Sequence, residues 1–372
     1  MKIGISLLCA RKNRTGVENV TFNLIKQLSK IDNDNKYIIY SNKQTREGIS
    51  REANRFEVVD VKLSGKRYLW VWEHLFFLMN RKHKEIDFLH FPIGGGVIGY
   101  RGKFILTIHD LKHYRRQNLV KLRRHVLNRL WFNANIKRAE MIIAVSEYVK
   151  NDILRTFDIP EESIRVIYNG VDDRYRPCGR SIAFRSRYEL PREYILFVGQ
   201  TAPSKNIRRA IDAVKLIRDK YNLVYPFVVA GPPGEEDWLL KSYVEKNNLE
   251  NMVRFYGYIV DDDMPQLYSN SKLFLFPSIT EGFGIPPLEA MSCGIPVVAA
   301  RTASMPEILG DAAILVNPFS VDSIAEGIRK ALADKDDTNK MIKRGLLRAK
   351  DFSWEKMTLE TLKVYKELGR SQ

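Results

Sequence analysis

Short apolar runs recur along the chain, and amphipathic stretches separate them. This alternation is typical of parallel sheets, because parallel strands need a crossover connection that is usually a helix. Two such series are present, one on each side of a segment rich in turn-forming residues, Tyr168–Gly179. The chain has 372 residues, which exceeds the size at which a single core usually divides. We therefore predict an α/β protein with two domains, each built on a parallel sheet, that face each other across a cleft.

The individual elements follow from the same pattern. In the first series, strands are predicted at Lys2–Leu8, Tyr37–Tyr40, Phe56–Val61, Phe88–Phe91, Phe104–Ile108, Met141–Val145 and Arg165–Ile167. In the second series, they are predicted at Tyr194–Val198, Pro226–Ala230, Val253–Tyr256, Lys272–Phe276, Pro296–Ala299 and Ile314–Val316. Helices are predicted at Val17–Ser29, at Glu147–Leu154 with Ser146 as its cap, and at Trp354–Leu368. The predicted domains are therefore residues 1–178 and 179–352, and residues 353–372 form a last helix.

The positive charge is concentrated in the first half of the chain. Through Arg180 there are 34 lysines and arginines against 19 acidic residues, whereas the whole chain has 60 against 44. We therefore expect the first domain to meet an acidic partner.

Neither a membrane span nor a secretion signal is expected. No apolar run approaches the roughly 20 residues that a spanning helix needs. Basic residues follow the apolar start, where a signal peptide would need small ones: Arg11, Lys12 and Arg14. The three cysteines are far apart in sequence and fit a reducing compartment: Cys9, Cys178 and Cys293. We expect a cytoplasmic protein.

The most informative stretch is Thr280–Gly294, which reads T-E-G-F-G-I-P-P-L-E-A-M-S-C-G. The apolar run Leu273–Phe276 precedes it and is predicted to be a buried strand. Pro286 and Pro287 suit the first turn of a helix, and Gly294 suits its end. A strand, a glycine-bearing loop and a short helix form an arrangement that binds anions at the helix N-terminus.

Two carboxylates bracket this loop, Glu281 at the end of the strand and Glu289 in the predicted first turn of the helix. Gly282 and Gly284 lack a Cβ and let the backbone approach a ligand closely. A carboxylate accepts two hydrogen bonds at once, which suits the vicinal hydroxyls of a sugar or a ribose. A simpler interpretation is that Glu289 complements the helix dipole and Glu281 caps a turn.

Together, the residues from Glu281 to Glu289 resemble the E-x7-E signature of the retaining glycosyltransferases of family 4 (glycosyl transferases group 1), which have the two-domain GT-B fold. The flanking sequences L-F-L-F-P-S and P-E-I-L-G-D-A-A are similar as well, and the resemblance covers most of the chain. It implies two Rossmann-like domains, of which the first faces the acceptor and the second binds a nucleotide-diphosphate sugar. In this fold the C-terminal helix commonly packs back on the first domain.

The loop Gly199–Asn206, G-Q-T-A-P-S-K-N, places a lysine between a predicted strand and a predicted helix. The ammonium of Lys205 is suited to bind a diphosphate there, and the loop is similar to the family pattern G-x-x-x-P-R-K-N. Ser204 and Gln200 stand where family members carry arginine, so a second cation remains unassigned. The alternatives for it are Arg208, Arg209 and Arg301. Without the resemblance, a solvated lysine on a helix is the simpler interpretation.

His109 follows the predicted strand Phe104–Ile108, at the sheet edge where open α/β proteins bind ligands. Its imidazole is suited to bond a sugar hydroxyl or to stabilise charge as a glycosidic bond breaks. The sequence H-D-L resembles the family's N-domain histidine, which faces the donor sugar. Two alternatives remain, a metal site with Asp110 and His113 and a surface histidine without a function. Asp110 also suits a helix cap.

The first loop, Arg11–Asn19, lacks the G-x-G-x-x-G of dinucleotide-binding proteins, so no nicotinamide cofactor is expected. The loop is similar to the family's T-G-I-G-R-Y, with Gly16 kept and Glu18 in place of the second glycine. In the family this loop lies by the donor phosphates and the acceptor, which implies that Gly16 belongs to the binding site. The role of Glu18 remains open.

Asp261–Asp263 resembles the D-x-D metal site of another glycosyltransferase fold. It precedes an amphipathic stretch that is predicted to be a helix, so capping and the helix dipole account for it. We expect neither a metal nor another cofactor.

The segment Lys62–Lys84 is the one most suited to an anionic membrane surface. Its aromatic, apolar centre lies between basic residues, which is the composition of a helix in a bilayer interface. Four aromatic residues in it cannot share one helix face, which favours this interpretation over a core helix with cationic ends: Trp70, Trp72, Phe76 and Phe77. A second basic stretch is Lys112–Arg138. Nucleic acid is not expected, because no nucleic-acid motif accompanies the charge.

The resemblance implies a retaining, metal-independent hexosyltransferase with a lipid-linked or membrane-presented acceptor, in cell-surface polysaccharide or glycolipid assembly. Glu289 would bind the ribose of the donor, and Glu281 and His109 its sugar. Lys205 and the backbone amides of Gly282, Phe283 and Gly284 would bind the diphosphate. We expect the protein to be peripheral on the inner face of the membrane. A sugar-nucleotide 2-epimerase of the same fold, and a non-catalytic binder of membranes or nucleic acid, remain as alternatives.

Overall fold

The computed structural model describes residues 1–10, 16–49, 55–61, 69–79, 85–93, 95–115 and 122–370. The chain divides into two compact units, Met1–Gly170 with Trp354–Gln372, and Val171–Ser353. The division at Gly170 and Val171 falls inside the turn-rich segment Tyr168–Gly179 rather than after Cys178. Each unit contains one parallel sheet with helical connections, so the predicted α/β fold class is confirmed.

The first unit begins with alternating strands and helices. Its strands are β1 (Lys2–Ser6), β2 (Lys36–Asn42), β3 (Glu57–Val61), β4 (Phe88–Phe91), β5 (Phe104–Ile108), β6 (Met141–Ala144) and β7 (Ile164–Val166). Its helices before the boundary are α1 (Gly16–Ile31), α2 (Lys43–Ile49), α3 (Leu69–Met79), α4 (Lys112–Arg115), α5 (Leu122–Arg138) and α6 (Glu147–Thr156). Among the described residues, the strand order is β3-β2-β1-β4-β5-β6-β7.

The second unit repeats this construction. Its strands are β8 (Ile195–Val198), β9 (Phe227–Ala230), β10 (Val253–Gly257), β11 (Leu273–Phe276), β12 (Val297–Ala300) and β13 (Ile314–Val316). Its helices are α7 (Ile182–Arg187), α8 (Ile207–Tyr221), α9 (Asp237–Lys246), α10 (Met264–Asn270), α11 (Ile285–Ser292), α12 (Met305–Leu309), α13 (Val321–Ala333) and α14 (Lys335–Ala349). The strand order is β10-β9-β8-β11-β12-β13.

Strand order places a ligand-binding position in each sheet. Where the chain stops adding strands on one side and starts on the other, loops diverge at the carboxyl ends and leave a crevice. In the first sheet this switch point lies between β1 and β4, and in the second between β8 and β11. The loops that carry Lys205 and Glu281 follow β8 and β11, so both loops start at the second switch point.

The last helix, α15 (Trp354–Arg370), is grouped with the first unit and packs against α1. His90 on β4 is buried, with its Nδ1 2.7 Å from the hydroxyl of Tyr365 and its Nε2 2.8 Å from Oγ1 of Thr107. Burial lowers the pKa of His90 to about 3, so its imidazole is neutral. Because both ring nitrogens are bonded, His90 fastens α15 to the centre of the first sheet.

Helix α3 is apolar on two sides. Phe77 is buried among aromatic rings of this unit, those of Tyr40, Phe91 and Tyr100. Three other side chains of the helix are exposed: Leu75 at 41%, Leu78 at 52% and Met79 at 78%. The side chains of Trp70 and Trp72, and residues 62–68 and 80–84, lie outside what the structure describes. None of the helices that it does describe combines the length and apolar character that a membrane crossing requires.

Candidate functional site

The loop between β11 and α11 has the predicted form. Two prolines stand in the first turn of α11, and Gly294 adopts a left-handed φ of +74° after its end. Gly284 precedes the helix at a φ of +85°, a conformation that favours glycine, and a Cβ there would lie 2.2 Å from Cε of Met305. The prediction that Glu289 lies in the first turn is wrong. Because α11 begins at Ile285, Glu289 lies in the second turn, where the dipole is weaker.

Lys205 and Glu281 form an ion pair. Nζ of Lys205 lies 2.5 Å from Oε1 of Glu281, and the two side chains are 19% and 11% exposed. The same Nζ lies 5.3 Å from the ring centre of Phe276, the last residue of β11. The cation and the carboxylate that were predicted to bind different parts of a ligand are therefore bonded to each other.

Hydrogen bonds to backbone carbonyls hold the loop after β8 and the loop after β11 together. The amide of Ile279 donates to the carbonyl of Ser204 at 2.8 Å. The side chain of Asn206 donates to the carbonyls of Pro277 and Pro318, at 3.2 and 2.7 Å. Asn206 adopts a left-handed φ of +58° between the turn that carries Lys205 and α8. The positions of Lys205 and Glu281 are thus fixed by the backbone as well as by their ion pair.

The three candidates for a second cation have different surroundings. Arg209 donates from Nη1 to Oδ1 of Asn206 at 3.0 Å, and therefore lies beside the Lys205 loop. The guanidinium of Arg208 lies 4.5 Å from the ring centre of Tyr243. Arg301 donates to the carbonyl of Leu315 at 3.1 Å.

Two tyrosines face Glu289. The hydroxyl of Tyr268 on α10 donates to Oε2 of Glu289 at 2.7 Å, and the hydroxyl of Tyr175 lies close enough to the same carboxylate to influence its pKa. Burial raises the pKa of Glu289, while the two tyrosines and the charge of Arg174 oppose that rise. Tyr175 lies in the turn-rich segment, and nothing in the sequence pattern distinguished it from the other residues there.

In the first unit, His109 follows β5 as predicted. Its Nε2 lies 2.8 Å from the carbonyl oxygen of Pro92, which directly follows β4 at the switch point. A carbonyl only accepts, so Nε2 carries the hydrogen and Nδ1 is left as an acceptor. Burial lowers the pKa of His109, while this hydrogen bond and the charges of Asp110 and Glu18 oppose the change. The imidazole of His109 is therefore neutral, with Nδ1 as a hydrogen-bond acceptor.

The residues predicted from the first loop lie near this histidine. Glu18 is buried in the first turn of α1, close enough to His109 to raise its pKa. Gly16 is the first residue of α1, and the loop residues 11–15 before it lie outside those described.

A second buried carboxyl group lies after β1. Oγ of Ser6 donates to Oε1 of Glu73 at 2.5 Å, and Sγ of Cys9 donates to Oε2 at 3.0 Å. Burial raises the pKa of Glu73 to about 7. Because Glu73 belongs to α3, this cluster ties α3 to the carboxyl end of β1.

The acidic residues of the two alternative metal sites bond to protein groups. Asp110 accepts from the amide of Lys112, the first residue of α4, at 3.0 Å; the side chain of His113 is not described. The predicted capping by Asp261–Asp263 is wrong, because no side-chain cap forms on α10. Asp263 instead accepts from Arg187 and Tyr188. Within the described ranges, no cluster of three or more His, Cys, Asp and Glu is arranged to hold a metal ion.

Two family models match the chain. Residues 14–175 match the model described as Glycosyltransferase Family 4, and residues 181–348 match the model described as Glycosyl transferases group 1. The boundary between the two matches falls in the segment that joins the two units.

Curated and solved proteins resemble the chain to different extents. The O-antigen chain mannosyltransferase B of Escherichia coli is 36% identical over 237 residues, which are 63% of this chain and 62% of that protein. The chain therefore matches less than two thirds of this relative's length. Sucrose-phosphate synthase from Thermosynechococcus elongatus superimposes with a TM-score of 0.80 at 17% identity, over 100% of both chains. Anabaena Alr3699/HepE in complex with UDP-glucose superimposes with a TM-score of 0.75 at 19% identity, over 99% of this chain and 100% of that chain. At these identities, the structural likeness shows the fold alone.

Proposed function

The chain belongs to the family-4 glycosyltransferases (glycosyl transferases group 1) and has the GT-B fold, and we propose that it is a retaining hexosyltransferase. Its donor is a nucleotide-diphosphate sugar, and its acceptor is a lipid-linked or membrane-presented sugar of a growing cell-surface polysaccharide. The observation that carries the proposal is the Lys205–Glu281 pair beside the switch point of the second sheet. A cation for phosphates and a carboxylate for hydroxyls meet there at 2.5 Å.

The side chains of the second unit suit the parts of such a donor. The ammonium of Lys205 binds the diphosphate and stabilises the charge that develops on it as the glycosidic bond breaks. Glu281 accepts hydrogen bonds from the transferred sugar, and Glu289 accepts them from the ribose. The two glutamates therefore serve recognition rather than the acid–base pair of a hydrolase. The departing phosphate helps deprotonate the acceptor on the same face of the sugar, so the reaction proceeds with retention and needs no metal.

His109 supplies an acceptor in the first unit. Its Nδ1 is an acceptor that suits a hydroxyl of the sugar, because Nε2 donates to the carbonyl of Pro92 at 2.8 Å. The imidazole is neutral, so it orients the sugar without adding positive charge.

We propose mannose as the transferred sugar. The support is the name of the Escherichia coli relative, an O-antigen chain mannosyltransferase that is 36% identical over 237 residues. The same name supports an acceptor in a cell-surface polysaccharide.

A panel of UDP-, GDP-, ADP- and dTDP-sugars tests the activity. We expect slow release of nucleoside diphosphate from one donor with the wild-type protein, and none with Glu281→Ala. A new sugar nucleotide formed without any acceptor would instead support the epimerase. If no donor reacts and no nucleotide raises the melting temperature, the transferase proposal is wrong.

We also propose that the first unit binds an anionic membrane surface from the cytoplasmic side. The support is its excess of basic residues, 34 against 19 through Arg180, together with the exposed aliphatic side of α3. Leu78→Glu and Met79→Glu should weaken sedimentation with vesicles of phosphatidylglycerol and phosphatidylcholine. Leu347→Glu, at a side chain that is 66% exposed in the second unit, is the matched control. Equal sedimentation of all three variants and the wild type would contradict the proposal.

A further inference from the structure

The segment that leaves the first unit is packed against the second unit's α10. Tyr175 is only 9% exposed, and its amide donates to the carbonyl of Asp172 at 3.0 Å. The carboxylate of Asp172 accepts from the amide of Arg174 at 3.0 Å, which closes the turn. Further along, Sγ of Cys178 lies 3.1 Å from Oγ of Ser269 on α10. A segment whose composition is that of a linker is therefore held in one conformation.

The ring of Tyr175 is fixed by its neighbours. It packs edge-on against the ring of Tyr268, with centroids 5.8 Å apart. The guanidinium of Arg174 lies 5.5 Å from the ring centre of Tyr175 and is itself within 3.8 Å of both Asp172 and Asp262. The hydroxyls of Tyr175 and Tyr268 thus reach one carboxylate, that of Glu289, from two separate elements.

We propose that Tyr175 is a positioning residue that, together with Tyr268, orients the carboxylate of Glu289 toward the vicinal hydroxyls of the donor's ribose. The inference rests on the proposed function, in which Glu289 binds the ribose. A carboxylate has about four acceptor positions. One of them receives the hydroxyl of Tyr268, and the hydroxyl of Tyr175 is near enough to take a second. The two positions that remain equal the number of donors in a vicinal diol. Without the tyrosines, the carboxylate rotates about its last bond and meets the diol in one of several orientations.

The charge of Glu289 depends on the same contacts. The groups that face it are Tyr175 and Arg174 from the turn segment, Tyr268 from α10, Asp261 before α10, and Cys293 directly after α11. The two tyrosine hydroxyls and the charge of Arg174 favour the ionised carboxylate of Glu289, whereas burial and Asp261 oppose it. Removing the hydroxyl of Tyr175 therefore raises the pKa of Glu289 further. As the pH is lowered, the carboxylate of the variant is protonated earlier. The loss of ribose binding should therefore begin at a higher pH than in the wild type.

The test compares ribose with deoxyribose. Dissociation constants of GDP, UDP and their 2′-deoxy counterparts are measured by calorimetry for the wild type, Tyr175→Phe and Tyr268→Phe, between pH 5.5 and 8. We expect the wild type to prefer the ribonucleotide. In each variant the ratio of the two dissociation constants should fall about tenfold, the size expected for loss of a hydrogen bond to a charged group. Affinity for the 2′-deoxy compounds should stay unchanged. The pH below which ribonucleotide affinity falls should be higher in the variants than in the wild type.

Tyr194→Phe is the matched control. Its hydroxyl is also buried in the second unit but donates to the carbonyl of Leu267 at 2.7 Å. This variant should lose stability while keeping the wild-type preference for ribose. An equal loss of affinity for ribonucleotides and deoxynucleotides in Tyr175→Phe would overturn the inference, because it would show a structural role only.

Glu289→Gln separates the inference from the proposed function. If this variant loses the ribose preference while Tyr175→Phe keeps it, the positioning role is wrong and the site assignment stands. If Glu289→Gln keeps the preference, both the inference and the ribose-binding role of Glu289 are wrong. If no nucleotide binds to the wild type, the assignment of a donor site to the second unit is wrong.

Discussion

The carboxyl ends of the two sheets differ in their electrostatics. In the second unit, the switch point carries opposite charges in contact, with Lys205 2.5 Å from Glu281. In the first unit, burial favours the neutral forms of two groups near the corresponding edge, His109 and Glu73, although the charges of Asp110 and Glu18 lie near His109. Burial lowers the pKa of His109 and of His90, and raises that of Glu73 to about 7.

Both edges have the same origin in topology, since each sheet adds strands on one side of its first strand and then on the other. The difference therefore arises from side chains and not from the fold. A charged edge suits phosphates, whereas neutral acceptors suit hydroxyls, because they bind without the cost of burying a charge. The comparison predicts that changes in the second edge alter nucleotide binding as well as transfer, whereas changes in the first edge alter the transfer step alone.

The largest effect is expected for Lys205→Ala. Loss of a positioned cation beside the developing phosphate charge should lower kcat/KM for transfer by about a thousandfold. The dissociation constant of the free nucleoside diphosphate should rise as well. Lys241→Ala, at an exposed lysine paired with Asp237 on α9, is the control and should change neither quantity. Full transfer activity in Lys205→Ala would show that the charged pair at the second sheet's edge does not contribute to the reaction.

His109→Gln tests the neutral edge. The glutamine amide can still donate to the carbonyl of Pro92, but it does not replace the acceptor at Nδ1. We expect kcat to fall by about a hundredfold, within the range for a lost transition-state hydrogen bond. The affinity for nucleoside diphosphate should equal that of the wild type. A weaker affinity without a change in kcat would contradict the division of roles between the two edges.

The strands and the main site residues were predictable because their signals are local. Buried parallel strands appear as short apolar runs, and β4, β5 and β13 have the predicted bounds. Glu281 and Lys205 stand beside glycines and prolines whose backbone requirements are readable from sequence, as Gly284 illustrates with its φ of +85°.

What was not predictable depends on contacts between residues distant in sequence. The pairing of Lys205 with Glu281 joins loops after β8 and β11, which become neighbours only through the strand order. Tyr175 is one of several residues in a turn, and its contact with Glu289 requires α10 and α11 to be in place. The same holds for Cys178 and Cys293. They are far apart in sequence, yet both contact Ser269.

Glu281→Gln should change binding and transfer in opposite directions. The carboxylate neutralises Lys205 in the absence of ligand, and a diphosphate must displace it. Removal of this negative charge should strengthen binding of free nucleoside diphosphate by about tenfold, since the pair is largely shielded from solvent. Transfer should still be lost, because glutamine does not accept from two sugar hydroxyls. Calorimetry with GDP and UDP measures the first effect, and unchanged or weaker binding would show that the ion pair does not compete with the diphosphate.

The smallest effect concerns the pH dependence of the first unit. Glu73 has a pKa of about 7 in the folded protein against an ordinary value of 4.5, so between these values the folded state binds one proton more than the unfolded state. Glu73 therefore lowers the free energy of unfolding as the pH rises. His90, with a pKa of about 3 against 6.5, acts oppositely and lowers it as the pH falls. Between pH 4.5 and 6.5 the two contributions offset each other.

Glu73→Gln should expose the histidine contribution. Without Glu73, the free energy of unfolding should fall more steeply toward acid than in the wild type, by about 1.4 kcal/mol per pH unit between pH 4.5 and 6.5. Urea titrations followed by tryptophan fluorescence report mainly on this unit, because four of the five tryptophans belong to it. Glu140→Gln, at an exposed carboxylate of the same unit, is the control. Equal slopes for Glu73→Gln and the wild type would show that Glu73 is ionised in the folded protein, and the first edge would then be charged like the second.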